Sequence, residues 1–181
     1  HVKREPALVR FLRRRRKVKD GYAIVHNRLN VADETAFLSD KLNMLRIFEE
    51  ALRTGTLLHP DAMRLIAANL DLIDADMREN REASKIFIDI LLKHGNPERG
   101  LRRMNELGVL AAFIPEFAPI VAMMQFNMYH HYTVDEHTLR VLRNLRRLSE
   151  PEHAHEFPLC SAIVHTIPKL ELLYLAGLFH D

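Results

Sequence analysis

Apolar residues recur along most of the chain at intervals of three and four, the spacing that lines one face of an α-helix. The stretch from Ser39 to Gly55 is typical. It has a possible N-cap in Ser39 or Asp40, apolar positions at Leu42, Leu45 and Phe48, and a glycine where the pattern stops. The pattern predicts a mainly α-helical bundle of roughly eight helices.

A different pattern precedes these helices. Two short β-prone segments flank His26-Asn27-Arg28, and they predict one small β-hairpin at about residues 20–31. Farther along, Pro115 and Pro119 interrupt an apolar stretch, and the composition shifts after it. We therefore predict a boundary that separates residues 1–115 from residues 116–181.

Composition narrows the classes of protein. The net charge of +2 is too small to indicate nucleic-acid binding, and the Arg-rich run near residues 13–16 reads as a solvated face or a contact with an acidic surface. A single cysteine, Cys160, excludes an internal disulfide framework, fits the cytoplasm and is expected to pack in the core. No apolar run approaches the ~20 residues of a membrane span. The chain stops directly after an apolar segment, so we expect a piece of a larger protein.

Histidines are the candidate functional residues, because seven of the eleven lie between residue 130 and the end. On a helical wheel from Thr133, His137 lies at the edge of an apolar arc and points inward, as a ligand or as a satisfied core residue. Asp135 and Glu136 are explained by the helix dipole. The arc consists of Val134, Thr138, Val141, Leu142, Leu145 and Leu148.

The second candidate is the His180-Asp181 pair, which follows an apolar segment. If that segment carries the pair into a buried place, an unpaired imidazole and carboxylate would be costly, and a metal would resolve the cost. Gly177, one turn earlier, is expected to leave open space beside the His180 ring. The alternative is a helix that simply ends with Asp181 in solvent. We select His137, His180 and Asp181 as the site, and assign His130 and His131 to the loop before the helix.

Two sequence strings carry a family resemblance. The string "MYHHYTVDEHTLRVLRNL", followed by "ELLYLAGLFHD", closely resembles the His-Asp (HD) phosphohydrolase domain of the bifunctional PII uridylyltransferase/uridylyl-removing enzymes. Upstream, "GYAIVHNRLNVADETAF" and "RMNELGVLAAFIPEF" resemble the helical linker region between the nucleotidyltransferase domain and the HD domain of that family. The resemblance covers about residues 11–181. It implies that residues 116–181 are the start of a truncated HD domain.

The resemblance also implies a function. His137, His180 and Asp181 would bind a divalent metal ion (Mn, Mg or Fe), with His180 and Asp181 also catalytic. The HD portion would hydrolyse the uridylyl–tyrosine phosphodiester on the PII signalling protein. UTP and UMP would be handled by the parent enzyme and glutamine by domains absent here, without nucleic acid or membrane. A further Asp ligand would lie beyond residue 181, so we expect the chain alone to be inactive.

Two alternatives stay open at this point. The chain could belong to another HD phosphohydrolase, acting on a nucleotide or on guanosine tetraphosphate. It could instead be a helical interaction module whose HD remnant no longer binds metal.

Overall fold

The computed structural model describes residues 17–120 and 133–180. The first elements along the chain in these ranges form a β-hairpin. Strands β1 (Tyr22–Val25) and β2 (Arg28–Val31) pair antiparallel. His26 and Asn27 both have positive φ, at 49° and 62°, as the tight two-residue turns that match strand twist require. The predicted hairpin is confirmed.

A third strand, which the sequence analysis did not predict, completes the sheet. Strand β3 (Leu57–Leu58) pairs parallel to β2, so the sheet order is β1-β2-β3. Two residues are too few to display a strand period, so only the packing of the chain reveals this pairing.

The rest of the described chain is helical, as predicted. Three of the described helices have only five residues, which is too short for a clear helical period, and this explains why we expected fewer helices. The α-helices within residues 17–120 and 133–180 are α1 (Glu34–Leu38), α2 (Asn43–Thr54), α3 (Pro60–Ala68), α4 (Ala75–Glu79), α5 (Arg81–Leu92), α6 (Pro97–Glu106), α7 (Val109–Phe113), α8 (Val134–Ser149), α9 (Pro158–Val164) and α10 (Leu170–Leu178). Short 3₁₀ segments occur at Leu70–Leu72, Pro115–Ile120 and Pro151–His153.

Several helix ends follow local sequence signals. Gly55 ends α2 with φ of 71°, and the Asn96 side chain caps α6, which has Pro97 at its first position. The predicted start of α2 was too early. Asp40 caps the preceding turn by accepting a hydrogen bond from the Leu42 N–H at 3.0 Å, and the helix itself begins at Asn43.

The core forms where α2, α5 and α6 pack together, and it continues into α8 and α10. Helix α6 packs against α8, while α10 contacts both α8 and α5. The same apolar cluster therefore extends from Leu29 near the hairpin to Leu178 in α10. No helix in the described ranges is long and apolar enough to cross a membrane.

Two burial predictions were wrong. Cys160 is exposed, because the short helix α9 turns Ser161 and Val164 towards the protein and leaves Cys160 outside. In α8 the buried stripe includes Asp135 and Leu139, whereas Val141, Leu145 and Leu148 of the predicted arc are only half-buried.

Candidate functional site

Helix α8 positions His137 in its first turn. The backbone is extended at Thr133 and becomes helical at Val134, and the His137 N–H donates to the Thr133 carbonyl at 2.8 Å. Val134, Thr138 and Leu142 form part of the buried face of the helix. His137 is half-buried at the margin of that face.

Helix α10 positions His180, and it does so differently from the prediction. A Cβ placed on Gly177 would lie 2.9 Å from Cδ1 of Leu145 and 3.4 Å from side-chain atoms of Leu142 and Val141. The expected open space beside Gly177 is therefore occupied by α8, which approaches α10 closely at this glycine. Because α10 ends at Leu178, His180 lies exposed beyond the helix rather than in a buried place.

The structure brings His137 and His180 together from two different helices. Their ring centroids are 5.3 Å apart, and the ring planes are inclined by 45°. Asp181, the third predicted ligand, lies outside the described residues, as do His130 and His131.

A backbone hydrogen bond determines the tautomer of His180. Its Nδ1 lies 2.7 Å from the Gly177 carbonyl oxygen. Since a carbonyl oxygen only accepts, Nδ1 carries the hydrogen, and in a neutral imidazole Nε2 then carries the lone pair. Histidines that bind metals commonly donate their other ring N–H to a backbone carbonyl in this way.

The spacing of the two rings fits a shared ion. If each ring used one nitrogen at about 2.1 Å in a tetrahedral site, the centroids would lie about 5 Å apart. Within residues 17–120 and 133–180, no group of three or more His, Cys, Asp and Glu side chains is gathered as a metal site. The described residues therefore supply two imidazoles that fit a metal, and Asp181 remains the predicted carboxylate.

Ionic contacts tie the start of α8 to α6. The Arg102 guanidinium bonds to both carboxylate oxygens of Glu136 and also to Glu98 on its own helix. The hydrogen bond and charge of Arg102, with a smaller effect of Arg140, hold the pKa of Glu136 below its ordinary value against the opposing effect of burial. Asn105 Nδ2 donates to Asp135 Oδ2 at 2.8 Å. The helix dipole is thus only part of the role of these two acids, and no local sequence pattern could have shown their partners.

A separate cleft of about 390 Å³ lies between α2, β3 and α6. Arg99 at its rim donates to the carbonyls of Gly55 and Thr56, and Arg103 pairs with Glu106. The Arg99 hydrogen bonds stabilise the connection into β3, whereas the Arg103 ion pair stays within α6.

Comparison with known proteins identifies the family of this chain. The family model of the uridylyltransferase GlnD third domain matches residues 22–113, which are 92 of the 181 residues. The chain belongs to this family. The matched region runs from β1 to α7, so it ends before the helices that carry His137 and His180.

Curated relatives match over a longer range, and each is named a bifunctional uridylyltransferase/uridylyl-removing enzyme. The protein from Ruegeria pomeroyi is 62% identical over 181 residues, which is 100% of this chain and 20% of that protein. The protein from Cereibacter sphaeroides is 58% identical over 181 residues, again 100% of this chain and 20% of that protein. The Azospirillum brasilense protein is 43% identical over 167 residues, 92% of this chain and 18% of that protein.

The chain therefore spans about a fifth of the length of the curated relatives that it matches. No solved structure matches it.

Proposed function

We propose that this chain acts as part of a bifunctional uridylyltransferase/uridylyl-removing enzyme, and that His137, His180 and Asp181 belong to its uridylyl-removing site. The juxtaposition of the two imidazole rings at 5.3 Å carries this proposal. Whole-chain identity of 62% to a relative with that name supports it.

The proposed substrate is the PII signalling protein in its uridylylated form. The bond hydrolysed is the phosphodiester between the uridylyl group and tyrosine, and UMP is the product. UTP would serve the opposite reaction in another part of the enzyme, and glutamine would act through further domains. We place both reactions in the cytoplasm, which is consistent with the single cysteine.

The residues of this chain hold and orient the site. His137 from α8 and His180 from the end of α10 each present an imidazole, and the Gly177 carbonyl keeps the hydrogen of His180 on Nδ1. A divalent ion, when bound, supplies Lewis-acid chemistry that polarises a phosphoryl oxygen and acidifies water. The exposed position of His180 suits a substrate that is itself a folded protein.

The test is the release of UMP from uridylylated PII by the full-length enzyme that contains this chain, with Mn²⁺ added. We expect His180→Ala to abolish release, because it removes one of the two imidazoles. His165→Ala is the matched control, since His165 is also exposed but lies at the end of α9. Unchanged release by His180→Ala would refute the assignment.

A further inference from the structure

We propose that Arg102 and Asn105 of α6 are positioning residues for His137, which they orient through Glu136 and Asp135. The effect of this orientation on metal binding rests on the proposed function. The contacts between α6 and α8 are observed independently of it. The inference assigns to α6, a helix of the GlnD third domain family, a direct part in building the site on α8.

The first anchor is a two-pronged ion pair. Arg102 Nη1 and Nη2 reach the two carboxylate oxygens of Glu136, the second at 3.2 Å, and Arg140 Nε reaches Glu136 Oε1 at 3.2 Å. On the α6 side, Glu98 Oε1 accepts from Arg102 Nη2 at 2.8 Å. A guanidinium fork on a carboxylate specifies direction as well as distance.

The second anchor is the hydrogen bond from Asn105 to Asp135, which is 9% exposed. Asn105 lies one turn after Arg102 on α6, and Asp135 precedes Glu136 on α8. Successive residues on a helix are separated by about 100° around its axis, so two adjacent anchors restrain the rotation of α8. His137 is the next residue, and its direction depends on that rotation.

Helix geometry gives the distance by which the His137 ring would move if α8 rotated. A rotation of about 20° would move a side-chain tip, about 6 Å from the helix axis, by about 2 Å. That displacement is comparable to a metal–nitrogen bond length of about 2 Å. The partner ring is held at the end of its own helix, where the Gly177 carbonyl accepts a hydrogen bond from His180 Nδ1, and α10 packs against α5 as well as against α8.

The experiment compares Arg102→Gln with Arg103→Gln in this chain. The two arginines are neighbours with equal side-chain exposure of 35%, but Arg103 pairs with Glu106 within α6. The metal-free readout is the NMR cross-peak between the ring protons of His137 and His180. We expect Arg102→Gln to weaken it and Arg103→Gln to preserve it.

The second readout is the Mn²⁺ affinity of the full-length enzyme that contains this chain, measured by titration calorimetry. We expect Arg102→Gln and Asn105→Ala each to weaken binding about tenfold, as loss of supporting contacts commonly does, with Arg103→Gln unchanged. Thermal unfolding checks each variant, and Arg102→Lys, which keeps the charge but not the fork, replaces Arg102→Gln if that variant does not fold.

The outcomes separate the two proposals. An unchanged ring–ring cross-peak in Arg102→Gln overturns the positioning role. Mn²⁺ binding by the full-length enzyme that His180→Ala leaves unchanged counts against the proposed function, and the cross-peak then decides the positioning role alone.

Discussion

Glu50 is a buried carboxylate that connects two separate segments of the chain. Its side chain is 1% exposed, and its Oε1 accepts hydrogen bonds from the Lys19 N–H at 2.9 Å and from Arg53 at 2.6 Å. Burial acts to raise the pKa of Glu50, but the hydrogen bonds from Arg53 and Lys19 outweigh it and the pKa lies below its ordinary value. The carboxylate thus ties the segment before the hairpin to α2.

Replacement of this carboxylate should have an effect that depends on pH. We expect Glu50→Gln to lower the free energy of unfolding by about 1–3 kcal/mol near pH 7, because the amide loses charge-assisted bonds. Since the folded-state pKa is below the usual 4.5, the stabilisation is complete above that value and is lost as the pH falls through the folded pKa. Urea unfolding near pH 7 and near pH 3 measures both differences.

The control is Glu34→Gln, a substitution of an exposed glutamate in α1. It should leave the free energy of unfolding nearly unchanged at both pH values. A loss of stability in Glu50→Gln that stays the same in acid would contradict the role given to the charge.

At the scale of elements, a side-chain cap marks the start of α5. The Asn80 side chain accepts hydrogen bonds from the N–H groups of Glu82 at 2.8 Å and Ala83 at 3.3 Å. These are two of the N–H groups that a helix start leaves without an internal partner. Because Asn80 is exposed, its contribution is mainly that of the cap.

Loss of this cap should therefore lower the free energy of unfolding by a small amount. We expect Asn80→Ala to lower the free energy of unfolding by about 1 kcal/mol, whereas Asn80→Asp, which keeps an acceptor at the same place, should lose far less. Urea unfolding of the two variants provides the comparison. Equal stability of the two would show that the hydrogen bonds at Asn80 do not stabilise α5.

At the scale of the whole molecule, the apolar core crosses the predicted boundary near residue 115. Leu139 of α8 and Leu178 of α10 belong to the same cluster as Leu29 of the hairpin. A continuous core predicts that the two sides unfold together, although the division into two regions by composition stays a prediction.

Truncation of one core residue tests this coupling. Leu139 is 1% exposed, so we expect Leu139→Ala to lower the free energy of unfolding by about 2–4 kcal/mol. Unfolding followed by the NMR amide signals of Leu29 and of Leu178 should shift to the same new midpoint. A shift at Leu178 alone would mean that the C-terminal helices unfold as a separate unit.

Several local features of this protein follow from short stretches of its sequence. The hairpin turn at His26-Asn27 and the stop at Gly55 were both predicted and are present. Each depends on the backbone preferences and hydrogen bonds of a few consecutive residues, so the signal lies within those residues. The choice of His137 and His180 also came from sequence, through helical periodicity and a family resemblance.

The way in which these elements meet depends on how the whole chain packs. The exposure of Cys160, the pairing of β3 and the seat of α8 on Gly177 all differ from, or go beyond, what the pattern predicted. The partners of Asp135 and Glu136 lie about thirty residues earlier in the chain, on an amphipathic helix whose pattern marks Arg102 and Asn105 only as polar positions. Contacts of this kind depend on how helices pack, and packing is a property of two surfaces together rather than of either sequence segment alone.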